Sequence, residues 1–394
     1  MAVENWISDR IAELVEFRRD LHRNPELLYD LPRTAASVAK ALRAAGVDEV
    51  HEGIGQTGVV AVIRGRSNHS GRVIGLRSDM DALPIAEETG ADWASEVPGK
   101  MHACGHDGHA AMLLGAAMGL AQSRNFDGTV VLIFQPAEEG GAGARAMIED
   151  GLFRRFPVDE VYGMHNRPGL PVGEFTIAPG PIMGSVDMFD IEITGVGGHA
   201  AQPDRTIDPM PVMAALIQGL QTLVSRNLDP VDSAVVSVTK VQAGDAYNVI
   251  PQTLTLAGTV RTLREEVRDM VEARMGAMVQ GIAAAYGATA RLDYGRHYPV
   301  TVNHEAHAEY AALAAETVAG VGRVRRDMPQ TLGGEDFSFM LNEVPGAMIN
   351  IGNGDSAGLH HPAYDFDDDA IAWGVSYWTA LVRSRLPSHG QAQQ

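Results

Sequence analysis

Cysteine is almost absent from this 394-residue chain: Cys104 stands alone, so no intrachain disulfide can form and a disulfide-stapled fold is excluded. That usage suits a reducing cytosol and directs attention to what the one thiol does. Basic residues are also short, 31 Lys and Arg against 50 Asp and Glu, which gives a formal charge of −19. Such a surface repels polyanions, so neither nucleic acid nor an anionic membrane is expected as a partner. No apolar run reaches the ~18 residues that a membrane helix needs. At the start of the chain, Ile7, Ile11, Leu14, Val15 and Leu21 recur at helical spacing among Glu4, Asp9, Glu13 and Glu16, which reads as an amphipathic helix and not as a signal peptide. The final His389-Gly390-Gln391-Ala392-Gln393-Gln394 matches no anchor or retention signal, and the expected location is the cytoplasm.

What remains is an ordinary globular composition, 45% hydrophobic and 21% charged, at a length that suits about two domains. Up to about residue 183 the pattern alternates between helix and strand, with β-branched apolar runs at 58–63, 73–76 and 129–134. Continuous runs of this kind suit strands buried on both faces of an α/β sheet. Helices are expected at 33–45, 109–122 and 142–150, completing a three-layer domain. The rhythm then changes to strand 187–194, helix 209–228, strands 234–241 and 253–261, helix 264–285 and strand 290–296. The order β-α-β-β-α-β is the ferredoxin-like motif, whose ends emerge close together and so permit insertion into another domain. The expected organisation is therefore one domain over 1–183 and 298–394, completed by a strand at 347–351 and a helix at 368–385, with an inserted domain over 184–297.

Three of the 14 histidines fall within Met101-His102-Ala103-Cys104-Gly105-His106-Asp107-Gly108-His109. A thiolate and imidazoles this close are good ligands for a divalent transition metal. A small buried thiol beside helix-capping histidines, or a thiol nucleophile with a histidine base, are the alternatives for this motif alone. The strand at 129–134 delivers Glu138 and Glu139 into a glycine-rich turn, where one carboxylate can bind metal while its neighbour moves protons. The glycines that follow are out of register for a dinucleotide fingerprint. A strand at 160–164 ends at His165, and the strand at 347–351 is followed by Leu359-His360-His361-Pro362. Cys and His from one loop, Glu and His from two strand ends and one more His near the C-terminus are enough for two ions.

In order along nearly the whole chain, Asp79-Met80-Asp81-Ala82-Leu83-Pro84, Cys104-Gly105-His106-Asp107-Gly108-His109, Gln135-Pro136-Ala137-Glu138-Glu139-Gly140, Gly163-Met164-His165-Asn166, Gly197-Gly198-His199-Ala200, Asn248-Val249-Ile250-Pro251, Gly334-Glu335-Asp336-Phe337 and His360-His361-Pro362 resemble the M20 metallopeptidase family. The match is to its cysteine-containing branch of hippurate hydrolases, N-acyl-amino-acid amidohydrolases and auxin-conjugate hydrolases.

The resemblance implies that Cys104, His106, Glu139, His165 and His360 hold two divalent ions per subunit, Mn²⁺ or Zn²⁺ with Co²⁺ or Ni²⁺ also suitable, and that the thiolate bridges them. His361 competes for the last position, but the family places the ligand two residues before the proline. Glu138 corresponds to the general base, and Asp81 to a carboxylate that orients a ligand. His102 and His109 are left with structural roles. In the inserted domain, which the resemblance makes a lid and dimerisation domain, His199 corresponds to a residue that reaches the partner's site in a homodimer to stabilise the oxyanion. Asn248 and Arg261 correspond to a pair that binds the amide-oxygen region and the free carboxylate of the substrate. Two departures, Asp204 where the family often has His and Arg167 where it often has an aromatic residue, bear on acyl-group or leaving-group preference. The expected activity is cleavage of small N-acyl amino acids, with a dipeptidase or N-acetyl-metabolite deacetylase of the same family as the alternative. A thiol hydrolase and a catalytically silent metal-binding protein are the rivals from other classes.

Overall fold

The structure, a computed structural model, describes residues 5–388; Glu4 and segment 389–394 lie outside the described residues. The chain divides into two compact units, one of Met1–Gly180, Val302–Pro329 and Phe339–Gln394 and one of Pro181–Thr301 with Gln330–Ser338. Sequence alone kept 330–338 with the first unit, whereas the contacts group Gln330–Ser338 with the second. Among the described residues no helix is long and apolar enough to cross a membrane.

The first unit is built on an eight-stranded mixed sheet in the spatial order Glu49–Ile54, Gly58–Arg64, Thr129–Gln135, Val73–Asp79, Glu160–Arg167, Gly346–Gly352, Phe175–Thr176, Val324–Arg325. The middle four of the eight strands, from Thr129–Gln135 to Gly346–Gly352, run parallel. Gly58–Arg64 is buried at every position but its last, so side chains of both parities are covered. Val59, Ala61 and Ile63 join the main core, and on the other face Met147 of helix Gly143–Glu149 packs against Gly58. Helix His106–Ser123 has 15 of its 18 residues buried, which marks it as central rather than superficial. Ile11–Arg23, Pro32–Ala45 and Ala370–Arg385 pack around it.

The second unit carries a four-stranded antiparallel sheet in the order Ala234–Ala243, Thr253–Thr262, Val186–Thr194, Thr289–Tyr298. The strand Val186–Thr194 alternates strictly, burying Phe189, Ile191 and Ile193 against one face. Those residues share a core with Val212, Leu216 and Leu220 of helix Pro209–Asn227 and with Val271, Met275 and Val279 of helix Glu265–Ala285. Asp208 starts the first of these helices by accepting the Met210 N–H at 2.9 Å.

Candidate metal centre

The four parallel strands end on one side of the sheet, at Asp79, Gln135, Arg167 and Gly352; three of these ends feed segments that bear singled-out residues, and the third strand carries His165 two residues before its end. A crevice outside such carboxyl ends is where an open α/β sheet offers a site. Asp81, just beyond the first of these ends, is the pivot. Its Oδ1 accepts the backbone N–H of Glu138 at 3.0 Å, its Oδ2 that of Glu139 at 3.1 Å, and its carbonyl oxygen takes His106 Nδ1–H at 2.9 Å. One buried residue thus fixes both glutamates and one imidazole.

With Nδ1 committed, His106 turns Nε2 inward, where it is buried with no hydrogen-bond partner, 3.7 Å from Asp79 Oδ2 and 3.9 Å from Glu139 Oε1. An orphaned ring nitrogen among carboxylates calls for a cation. Cys104, His106 and His165 offer donor atoms mutually within 4.8 Å, and so do Cys104, Glu139 and His360. Cys104 Sγ lies 3.4 Å from His165 Nε2, and His360 Nε2 lies 3.3 Å from Glu139 Oε1. Donors sharing one tetrahedral ion at ordinary bond lengths stand about 3.5 Å apart for sulfur and nitrogen and about 3.4 Å for nitrogen and oxygen. The residues fit the group.

Electrostatics agree with that fit. Burial pushes the Cys104 thiol well up, and Glu139, Glu138 and Asp79 push it further, so no thiolate forms here without added positive charge. Burial holds His165 well below its ordinary value, which leaves the ring neutral, the form able to offer Nε2 to an ion. Burial acts to lower His106 too, but Asp79, Asp81 and Glu139 outweigh it and hold it up at about 10, so these carboxylates keep positive charge at Nε2, as a proton that a bound cation would displace. Backbone strain marks the same place: of six described non-glycine residues with positive φ, three are Ala137, Ala142 and His360. His361 points its Nδ1 back to the Ala363 N–H at 3.0 Å, whereas the His360 N–H donates to the Ala103 carbonyl at 2.8 Å and ties its loop to the cysteine segment.

Residues 75–384 match the profile of peptidase family M20/M25/M40. The chain belongs to that family. It is similar to an N-acetylcysteine deacetylase of Bacillus subtilis, 42% identical over 94% of this chain and 96% of the relative. It is also similar to the hippurate hydrolase of Campylobacter jejuni, 40% identical over 96% and 98%. Among solved structures, the Bacillus subtilis YxeP protein, described as a dinuclear metal binding peptidase of the M20 family, superposes with a TM-score of 0.84 at 38% identity, covering 96% of this chain and 99% of that one. The chain is therefore an M20 hydrolase, an enzyme that acts on amides.

The other residues expected of this M20 hydrolase lie in the second unit. His199 and Asn248 are exposed neighbours: Gly198–His199 pairs with Val249–Ile250, and the Ala200 N–H donates to the Asn248 carbonyl at 3.0 Å. Arg261, on strand Thr253–Thr262, is half-buried, and its Nη1 is buried with no hydrogen-bond partner. Asp187, the acid whose charge acts on it, is already taken by Arg268 Nε at 3.0 Å and by the Tyr294 hydroxyl at 2.8 Å. Sequence reasoning gave no role to two residues around the candidate donors, Asp79 and Asn166, and left His109 beside them with a structural role, because nothing in their local motifs separates them from caps and turns. His102 is buried with neither ring nitrogen hydrogen-bonded, and burial pulls it down to about 3, so it is neutral.

Proposed function

We propose that this M20 hydrolase is a two-metal amidohydrolase that cleaves N-acyl amino acids to a carboxylic acid and a free amino acid. The observation that supports the reading best is that two donor triples share one atom, Cys104 Sγ. Cys104, His106 and His165 would hold one divalent ion and Cys104, Glu139 and His360 the other, where the pair supplies a Lewis acid for the acyl oxygen and acidifies a water. Mn²⁺ or Zn²⁺ suits the mixed sulfur, nitrogen and oxygen donors, and Co²⁺ or Ni²⁺ would be accepted. Glu138 takes the proton of the attacking water on its carboxylate and gives it to the departing amine. Asp81, through the two backbone amides, keeps that carboxylate beside Glu139. A thiol nucleophile is disfavoured, because a buried thiol among carboxylates is the reverse of an activated one.

The second unit serves as lid and dimerisation domain. Arg261, with a buried guanidinium nitrogen that lacks an acceptor, takes the free carboxylate of the substrate, for which its planar fork is suited. Asn248 holds the amide oxygen region, and His199 donates to the oxyanion from the partner subunit of a homodimer. A deacetylase of N-acetyl metabolites is the second reading, favoured by the 42% identity to a relative named N-acetylcysteine deacetylase. The test is hydrolysis of N-benzoylglycine, a series of N-acetyl amino acids and a dipeptide panel with each of Mn²⁺, Zn²⁺, Co²⁺ and Ni²⁺. N-acyl amino acids are expected to be cleaved in preference to dipeptides. Preference for dipeptides overturns the reading, and acetyl substrates far ahead of benzoyl ones select the deacetylase.

A further inference from the structure

A set of buried polar side chains lies against the ligands, and the chemistry above leaves it unused. Asp79 accepts Arg77 Nη1–H on one carboxylate oxygen at 2.8 Å and His109 Nδ1–H on the other at 2.6 Å. Across the ring, His109 Nε2 meets two donors of Asn166, the backbone N–H at 2.9 Å and the side-chain amide at 3.0 Å. The same amide nitrogen donates to the Cys104 carbonyl at 2.6 Å, and Asn166 Oδ1 accepts the Tyr364 hydroxyl at 2.8 Å. All five side chains are at most 2% exposed.

The hydrogen-bond directions are forced. A backbone N–H can only donate, so His109 Nε2 carries the lone pair and Nδ1 the proton that goes to Asp79. His109 therefore stands among ligand rings, 4.6 Å from the His165 centroid and 5.5 Å from that of His106, with no donor atom left to give. Asp79, His106 and His109 also offer atoms within 4.8 Å of one another, yet within that triple only His106 Nε2 is without a hydrogen bond. Asn166 follows His165 in the chain and is tied to the carbonyl of Cys104, so it links two donors 61 residues apart whose atoms already stand at the spacing one ion needs. Gly105 lets the link close: its φ is +86°, and a Cβ there would collide with the Asn166 amide and the Tyr364 hydroxyl.

We propose that Asp79, His109 and Asn166 form a clamp that sets the spacing of Cys104 and His165 and thereby the affinity for metal, none of the three binding an ion itself. The proposal rests on the two-metal reading. It assigns these residues a positioning role, and loss of such an outer partner typically weakens metal binding about 10- to 100-fold.

The test is Zn²⁺ and Co²⁺ affinity, measured by competition with a chromophoric chelator, for the parent, His109→Ala, Asn166→Ala and the double variant, together with the near-ultraviolet thiolate band of the Co²⁺ forms. Each single variant is expected to bind about 10- to 100-fold more weakly, with a displaced or weakened thiolate band although all five ligands remain. The double variant should be no weaker than the worse single one, because both break the same link. A merely structural role would lower the thermal midpoint and leave affinity and spectrum of the folded protein unchanged. A folded His109→Ala that matches the parent within about twofold, or penalties that multiply in the double variant, overturns the clamp. If His109→Ala does not fold, Tyr364→Phe decides: it removes one oxygen, should weaken binding several-fold, and overturns the clamp if affinity is unchanged. A parent that binds no ion refutes the metal reading itself, whereas variants equal to a metal-binding parent refute the clamp alone.

Discussion

His22 offers a prediction whose size follows from the contacts behind the cysteine segment. Its ring is buried on helix Ile11–Arg23, with Nδ1 2.8 Å from Asp107 Oδ2 and Nε2 3.3 Å from Glu87 Oε1, while Arg18 Nε approaches the same Asp107 oxygen at 2.7 Å. Burial acts to discharge the imidazole and the nearby positive charge of Arg18 adds to that, but Asp107 and Glu87 outweigh both and hold it up at about 9. A histidine raised in the folded state above its ordinary value of about 6.5 contributes stability that is fully present below that value and is lost as pH rises through the folded one. The gap between about 6.5 and about 9, at about 1.4 kcal/mol per tenfold change, is worth about 3 kcal/mol, of which about 2 kcal/mol disappear between pH 7 and pH 9. His22→Gln keeps a polar side chain of similar reach and does not titrate. Urea unfolding of both proteins at pH 7 and pH 9, with chelator present, measures the difference through midpoint and slope. The parent should lose about 2 kcal/mol more than the variant over that interval. Equal losses would refute the charged, paired state of His22.

Glu138→Gln should lower turnover by about 10²- to 10⁴-fold or more with metal content near that of the parent; loss of metal instead would exchange the roles of Glu138 and Glu139. Amidating the substrate's free carboxylate should slow the parent strongly and Arg261→Ala only slightly, since the variant has already lost that contact, and equal penalties would refute the pairing. His199→Ala should be about 10²- to 10³-fold slower while still binding metal. Mixed with inactive Glu138→Gln under demonstrated subunit exchange, it should regain activity, because some sites then combine an intact Glu138 with the partner's intact histidine. Exchange without recovery would place the action of His199 within its own subunit or remove it from the chemistry.

The buried parallel strands were legible because two covered faces leave only one kind of residue, as in Val130, Val131, Leu132 and Ile133. The order of the second unit was legible because strands such as Val186–Thr194 have one wet face and alternate. The edge strand Glu49–Ile54 escaped notice, since His51, Glu52 and Gly53 give it neither pattern, and so did helix Glu305–Ala319, whose alanines make no strong stripe. Helix His106–Ser123 starts three residues before the expected 109, so His106 serves as a helical residue as well as a donor. The candidate donors were legible as residue types, Cys104 and His106 in one loop, Glu139 and His165 around strand ends and His360 near the C-terminus. The link through Asp79, His109 and Asn166 was not, because it joins three segments through hydrogen bonds that no single motif contains. The same holds for the left-handed backbone of Ala137 and His360, a conformation imposed by surroundings on residues that do not favour it.

The sharing of Cys104 between two ions is tested most directly by metal content. Parent protein and Cys104→Ala, purified alike and loaded with excess Mn²⁺ or Zn²⁺, are dialysed and their bound metal counted by plasma mass spectrometry, with Cys104→Asp as the variant that restores a bridging oxygen. The parent should hold two equivalents per chain, the alanine variant should lose both together with its hydrolytic activity, and the aspartate variant should recover part of each. An alanine variant that retains two equivalents would contradict the shared ligand, whatever its activity.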